Sequence, residues 1–137
     1  MNPTQPSLTR SMFDDVGVFH TQVLNQPLRY PQLLSLEQVV ARRLFMQEEL
    51  NEFVECASMD DMVGMADALA DLIYVALGTA YLMGLPFHII WAAVQKANMT
   101  KVPGMTKRSM ANDAMKPDGW VGPEAEIREA IRVAARP

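Results

Sequence analysis

The sequence predicts an all-α protein, a helical bundle built around an antiparallel helix pair and assembling as an oligomer. Three observations carry this. Apolar residues recur at helical spacing through most of the chain, with no alternating stretch of useful strand length. Half of the 137 residues are apolar and a fifth are charged, enough to bury a core. Helix starts and stops are written in the expected places.

In chain order, residues 1–10 are polar and Pro-rich and read as a flexible arm ahead of one domain over 11–137. Ser11 followed by Asp14 opens a first helix, with Phe13, Val16, Phe19 and Val23 at helical spacing. Gln26-Pro27 through Tyr30-Pro31 ends it, because a proline pushes the residue before it out of the helical region. Ser35 with Gln38 reads as a capping box for a long helix over about 36–57. Asp60 or Asp61 caps a second long helix that runs to Gly84, and Pro86 starts a third that ends near Asn98. Residues 99–123, with Pro103, Gly104, Pro117, Gly119, Gly122 and Pro123, read as loop. A short amphipathic helix follows, with Ile127, Ala130, Ile131 and Ala134 on one face.

Composition excludes several classes. A net charge of −4 argues against nucleic acid as the main partner. One cysteine, Cys56, leaves no internal disulfide framework and suits a reducing cytoplasm. Met1-Asn-Pro-Thr-Gln-Pro6 has no basic region leading into an apolar run, so no secretory signal is expected. Leu72 to Gln95 has no Asp, Glu, Lys or Arg and is long enough for a bilayer, but Gly78, Gly84, Pro86 and His88 interrupt it. Two buried helices of a soluble bundle explain that run better than a membrane span.

The acidic residues are clustered. Eight of sixteen fall between Glu48 and Asp71, and no Lys or Arg lies between Arg43 and Lys96. Such a segment forgoes the i,i+4 ion pairs of an ordinary surface helix and calls for another positive charge. Mg²⁺ or Mn²⁺ fits, since both prefer carboxylate oxygens. Met46, Leu50, Phe53 and Ala57 form the expected apolar stripe of the first long helix, with Glu49 and Glu52 beside it and Glu48 on the Glu52 face. On the next helix Asp67 and Asp71 stand one turn apart in an apolar sequence, where ionised Asp is costly unless paired or metal-bound. Glu49, Glu52, Asp67 and Asp71 are therefore the expected metal ligands, meeting across the antiparallel pair. Glu55, Asp60 and Asp61 read as solvated surface. Downstream, Lys96, Lys101, Lys107, Arg108 and Lys116 suit a polyphosphate, although for Lys107 and Arg108 a solvated loop is an equal reading.

Four motifs in order resemble the MazG-like nucleoside triphosphate pyrophosphohydrolases, in the phosphoribosyl-ATP pyrophosphohydrolase-like branch near the dimeric dUTPases. They are Glu48-Glu-Leu-Asn-Glu52, Ala66-Asp-Ala-Leu-Ala-Asp-Leu-Ile-Tyr-Val75 with Gly78-Thr-Ala80 and Gly84, Lys96-Ala-Asn-Met-Thr-Lys101, and Lys116-Pro-Asp-Gly-Trp120. The resemblance covers about Phe13 to Ile127. It implies cleavage between the α- and β-phosphates of a nucleotide, with two or three Mg²⁺ or Mn²⁺ ions. Glu49 and Glu52 match the first ligand pair and Asp71 the last ligand, while Glu48 matches the general base. Ala68 stands where many relatives carry Glu, and Asp67 is the candidate replacement.

Asn98, Lys101 and Lys116 match phosphate contacts, which in relatives reach a site in the same or a neighbouring subunit of a dimer or tetramer. Tyr74, one turn from Asp71, is a candidate to orient that carboxylate, and a core tyrosine is the commoner reading. Phe13, Asp15, Phe19, His20 and Trp120 are candidates to contact the base; for Phe13 and Phe19 core packing is favoured. The expected substrate is a nucleoside triphosphate, a purine such as dGTP or GTP among them, as in bacteriophage relatives of the MazZ group. Phosphoribosyl-ATP and dUTP are the alternatives, and a non-catalytic helical interaction module is the reading from another class.

Overall fold

The computed structural model describes residues 10–108 and 112–137, so the expected arm lies outside it except for Arg10. Five helices and a two-stranded ribbon are present among the described residues, and the fold is all-α as expected. The chain divides into two compact units that meet in sequence between Leu85 and Pro86.

The first unit holds α1 (Met12–Gln22), α2 (Leu36–Ser58) and α3 (Met62–Leu82). Each starts on the cap its sequence announces. Ser11 and Asp14 form a reciprocal capping box, as do Ser35 and Gln38, and Asp61 accepts from the Gly64 amide at 3.0 Å. Such caps satisfy the first amides of a helix, which have no carbonyl one turn behind them. The α2–α3 turn is three residues long and passes through Asp60 at φ +55°, a left-handed conformation that Asp tolerates better than most side chains. A turn this short forces α2 and α3 antiparallel.

Helix α3 packs against both α2 and α1. The α1–α2 connection is tied to the far end of α3: Tyr81 Oη donates to the Gln26 carbonyl at 2.9 Å and the Gln32 amide to the Met83 carbonyl at 2.9 Å. Gly84 ends this region at φ +65°, where a Cβ would overlap the Arg29 and Tyr30 carbonyls.

The inward face of α2 differs from the expected one. Arg42, Met46, Glu49 and Phe53 are half-buried and Cys56 is buried, at steps of four, three, four and three. Leu50 and Ala57 are exposed instead. Glu49 thus lies in the middle of the buried stripe. Apolar residues off it, Leu44, Leu50 and Val54 among them, form a second apolar face turned outward, and Phe45 lies exposed on the other flank of the stripe. Helix α3 does the same with Val63, Leu69 and Ile73. By length and composition α3 is also apolar enough to cross a membrane.

The second unit holds α4 (Phe87–Asn98), β1 (Val102–Gly104), β2 (Asp113–Met115) and α5 (Glu124–Ala134). Ile90, Ala93, Ala97 and Ala130 form its buried core where α4 meets α5. The segment expected as loop contains the antiparallel ribbon, paired Val102 to Met115 and Gly104 to Asp113. Arg108 clamps its tip, donating from Nε and Nη2 to Asp113 at 2.8 Å each, with Thr106 as a third donor. The Thr106 hydroxyl, then the Ala114 amide and then Arg108 hold the Asp113 carboxyl down at about 2. Arg108 is thus committed to the ribbon.

Candidate active site

The carboxylates come from the facing middles of α2 and α3. Glu48, Glu52, Asp67 and Asp71 are exposed, whereas Glu49 is half-buried and its Oε2 is shut off from solvent with no hydrogen-bond partner. Burial pushes the Glu49 carboxyl up, and the negative charges of Asp71, Glu52, Glu48 and Asp67 push it further, in that order. Asp71 therefore couples to Glu49 most strongly across the pair, and Asp67 most weakly. Ala68, where many relatives carry Glu, is 1 % exposed and packed into the interior. Asp67 beside it is exposed, as are Glu52 and Asp71.

The five carboxylates are gathered within electrostatic range of one buried oxygen. They are not closed into a cage: among the described residues no three His, Cys, Asp or Glu side chains stand close enough to hold a metal ion. Like charges at this density favour side chains that fan toward water. The donor set is all carboxylate, which suits a hard divalent cation, and Glu49 Oε2 is an acceptor that lacks a positive partner.

The remaining candidates divide between the two units. In the first, Tyr74 meets Phe19 edge-on at 5.5 Å between ring centres, and its hydroxyl is pushed up by burial and then by Asp15. No hydrogen bond joins Tyr74 to Asp71 among the described residues, and its ring packs on Phe19. Phe13 packs at a tilt against Tyr81, with ring centres 6.4 Å apart, and Asp15 pairs with Arg10 at 2.5 Å.

In the second unit Asn98 ends α4, and its carbonyl accepts from the Lys101 amide at 3.1 Å. Trp120 is half-buried and its indole N–H is spent on the Ala97 carbonyl at 3.1 Å. Its ring carries Lys101 Nζ at 5.4 Å and Lys116 Nζ at 4.8 Å from its centre. A cavity of about 420 Å³ opens beside Trp120 between α4 and α5, with the Lys96–Glu126 ion pair, 2.8 Å, among its lining residues.

Sequence reasoning missed one polar cluster. Arg42 reaches from α2 to α3, donating from Nε to Thr79 Oγ1 at 3.0 Å and from Nη2 to the Val75 carbonyl at 2.9 Å. Beside it lies His20, 3 % exposed, its Nδ1 bonded to Gln26 Oε1 at 2.8 Å and its ring 4.8 Å from that of Tyr81. Both fit only because residue 78 is glycine: a Cβ there would lie 2.9 Å from Arg42 Nη2 and from His20 Nε2. A glycine inside an apolar helix was the available signal. Arg42 and Glu49 share the inward stripe of α2, so this anchor also fixes the face on which Glu49 lies.

The antiparallel pair brings carboxylates of both helices within electrostatic range of one buried oxygen. The family model for phosphoribosyl-ATP pyrophosphohydrolase matches residues 17–98, more than half of the chain, and the chain belongs to that family. Its members are hydrolases acting on phosphoanhydride bonds. No curated protein matches the chain. The matched span takes in all five carboxylates and Asn98, and stops short of Lys101, Lys116 and Trp120.

Proposed function

We propose that the protein is a metal-dependent nucleoside triphosphate pyrophosphohydrolase, cleaving between the α- and β-phosphates to release a nucleoside monophosphate and pyrophosphate. The observation that carries this is Glu49 Oε2, a buried acceptor without a donor amid Asp71, Glu52, Glu48 and Asp67. Leaving such an oxygen unpaired is costly, and a divalent cation removes the cost. Glu49, Glu52 and Asp71 are the assigned ligands, with Asp67 as the outer, weakest-coupled fourth. Bound there, Mg²⁺ or Mn²⁺ would supply Lewis acidity and neutralise triphosphate charge.

Glu48, exposed on the same helix, takes the proton of the attacking water. The water oxygen bonds to the α-phosphorus, the bridging P–O bond breaks, and its electron pair leaves on pyrophosphate. Asn98, Lys101 and Lys116 are assigned to polyphosphate oxygens. A purine such as dGTP or GTP leads the substrate reading. Phosphoribosyl-ATP is the second, favoured by the family that matches.

The partner proposed for the outward apolar face of α2 and α3 is a second copy of this chain. Val54 on α2 is 65 % exposed and Val63 on α3 is 81 % exposed, alongside Leu44 and Ile73. A bilayer does not suit this face, because α2 carries Arg43, Glu48, Glu52 and Glu55 exposed beside it. A second copy offers the same apolar residues, as a two-fold interface requires. The enzyme is placed in the cytoplasm with its nucleotide substrate.

The test is pyrophosphate release from dGTP, GTP, the other ribo- and deoxynucleoside triphosphates, dUTP and phosphoribosyl-ATP, with Mg²⁺, Mn²⁺ or chelator. Metal-dependent release from a triphosphate is expected. Release from phosphoribosyl-ATP alone would replace the leading substrate with the second. Silence across the panel, with no thermal response to Mn²⁺, would identify a non-catalytic helical module.

A further inference from the structure

The cavity beside Trp120 has the size of a small-molecule site, about 420 Å³ where such sites run from about 300 to 1,000 Å³. Ala93, Ala97, Pro117, Pro123 and the Trp120 ring make much of its lining apolar. Its polar side chains are nearly all committed. Lys96 and Glu126 hold each other at 2.8 Å. The Thr100 hydroxyl donates to the Ala97 carbonyl at 2.7 Å, and the Trp120 N–H donates to the same carbonyl at 3.1 Å. Asp118 is the exception: its carboxylate borders the cavity with no hydrogen-bond or ion-pair partner among the described residues.

The local backbone does not account for Asp118 either. Residues 117–120 form a turn closed by the Trp120 amide on the Pro117 carbonyl at 3.0 Å, with Gly119 at φ +73° in its third position. A turn of this kind demands the glycine and places no such demand on the residue before it. Asp favours turns where its side chain bonds a nearby backbone amide, and Asp118 bonds none among the described residues.

A ligand for this space needs an apolar ring body, acceptors for an ammonium and donors for a carboxylate. Lys96 gives one of its three N–H donors to Glu126 and keeps two. Ionised Asp118 is acceptor-only. Guanine carries both halves on one ring system: O6 and N7 accept, while N1–H and the 2-amino group donate side by side. Adenine puts an amino donor in the place of O6, against the ammonium, and has no donor where N1–H and the 2-amino group stand. The pyrimidines offer a single donor group on that edge.

We propose that this cavity is a guanine-reading subsite, in which Asp118 accepts from N1–H and the 2-amino group and Lys96 donates to O6 or N7. This rests on the pyrophosphohydrolase reading and narrows its purine substrate to guanine nucleotides. Trp120 contributes apolar area and no hydrogen bond, since its N–H is spent. Every lining residue belongs to the second unit, so base binding needs neither the carboxylates of α2 and α3 nor a metal.

The experiment is calorimetric titration of the full chain with dGMP, dIMP and dAMP in chelator, for wild type, Asp118→Asn and Lys96→Met. The base of dIMP keeps O6, N7 and N1–H and lacks only the 2-amino group. Wild type should bind dGMP about tenfold to hundredfold more tightly than dAMP, with dIMP between. Asp118→Asn should weaken dGMP about tenfold and close most of its gap to dIMP, while dAMP changes little. Lys96→Met should weaken dGMP and dIMP alike and spare dAMP. In turnover the kcat/KM ratio of dGTP to dATP should narrow in both variants. Disturbance of the turn or of the α4–α5 packing alone would weaken all three nucleotides together, and that result would overturn the subsite. Equal binding of dGMP and dAMP by wild type, or no binding of dGMP, would overturn it as well. Metal-dependent pyrophosphate release without base preference would sink the subsite and leave the hydrolase standing. Guanine-selective binding with no release from any triphosphate would keep the subsite and remove the hydrolase.

Discussion

Replacing Gly78 by Ala sets two effects of known size against each other. In an ordinary helix interior the change stabilises by about 1 kcal/mol, because glycine is the poorer helix former. Here the new Cβ would sit 2.9 Å from both Arg42 Nη2 and His20 Nε2. The guanidinium is the more mobile group, and its retreat would give up the bonds to Val75 O and Thr79 Oγ1. His20 has less room to give, pinned between Gln26 and Tyr81.

Overpacking of a fitted interior costs roughly 1–3 kcal/mol, and a hydrogen bond from a charged donor is worth about 1.5–3 kcal/mol, less where water can replace it. The cost wins: Gly78→Ala should destabilise by about 1–2 kcal/mol, lowering the melting temperature by roughly 4–8 °C. Circular dichroism melts at matched protein concentration would measure it, with urea midpoints as a second reading. In an Arg42→Met background the penalty should shrink, since half of the clash is gone. A Gly78→Ala protein as stable as wild type, or more so, would refute the notch and with it the anchor that sets the inward face of α2.

Other outcomes follow from the same geometry. Burial holds the His20 pKa below 6.5, with the Gln26 bond opposing and Arg42 adding to the effect. As pH falls below 6.5 the unfolded chain takes up a proton that the folded chain does not, so stability should be full above 6.5 and decline below it. His20→Gln should flatten that dependence in melts from pH 8 to 5. Mn²⁺ should raise the melting temperature of wild type, and Glu49→Gln should lose both that rise and turnover, read by melts and by pyrophosphate release; a full Mn²⁺ response in Glu49→Gln would remove Glu49 from the metal site. Val54→Glu is a surface change in an isolated chain and should cost under about 0.5 kcal/mol there, but on a shared face it should yield monomers in sedimentation velocity.

The sequence by itself determined the features that depend on neighbours three or four residues away. The Ser11 and Ser35 caps, the α3 cap to within Asp60 or Asp61, the helix ends and the inward apolar edge of α5 were legible, because a cap or a helical face needs only local hydrogen bonds and a period. The concentration of carboxylates was legible for the same reason. Which side of α2 faces its own chain was not, since α2 has two apolar faces and hydrophobicity does not distinguish an intrachain neighbour from another surface. Only tertiary packing made Arg42, Met46, Glu49, Phe53 and Cys56 the inward stripe, through an arginine that needs the space at Gly78. Likewise, the motifs that hold Lys101, Lys116 and Trp120 were legible, but not that both lysines meet the Trp120 ring, which depends on the register of a three-residue ribbon and one hydrogen bond to α4. Contacts between residues far apart in sequence depend on the whole path of the chain, so they are settled when the helices pack and not before.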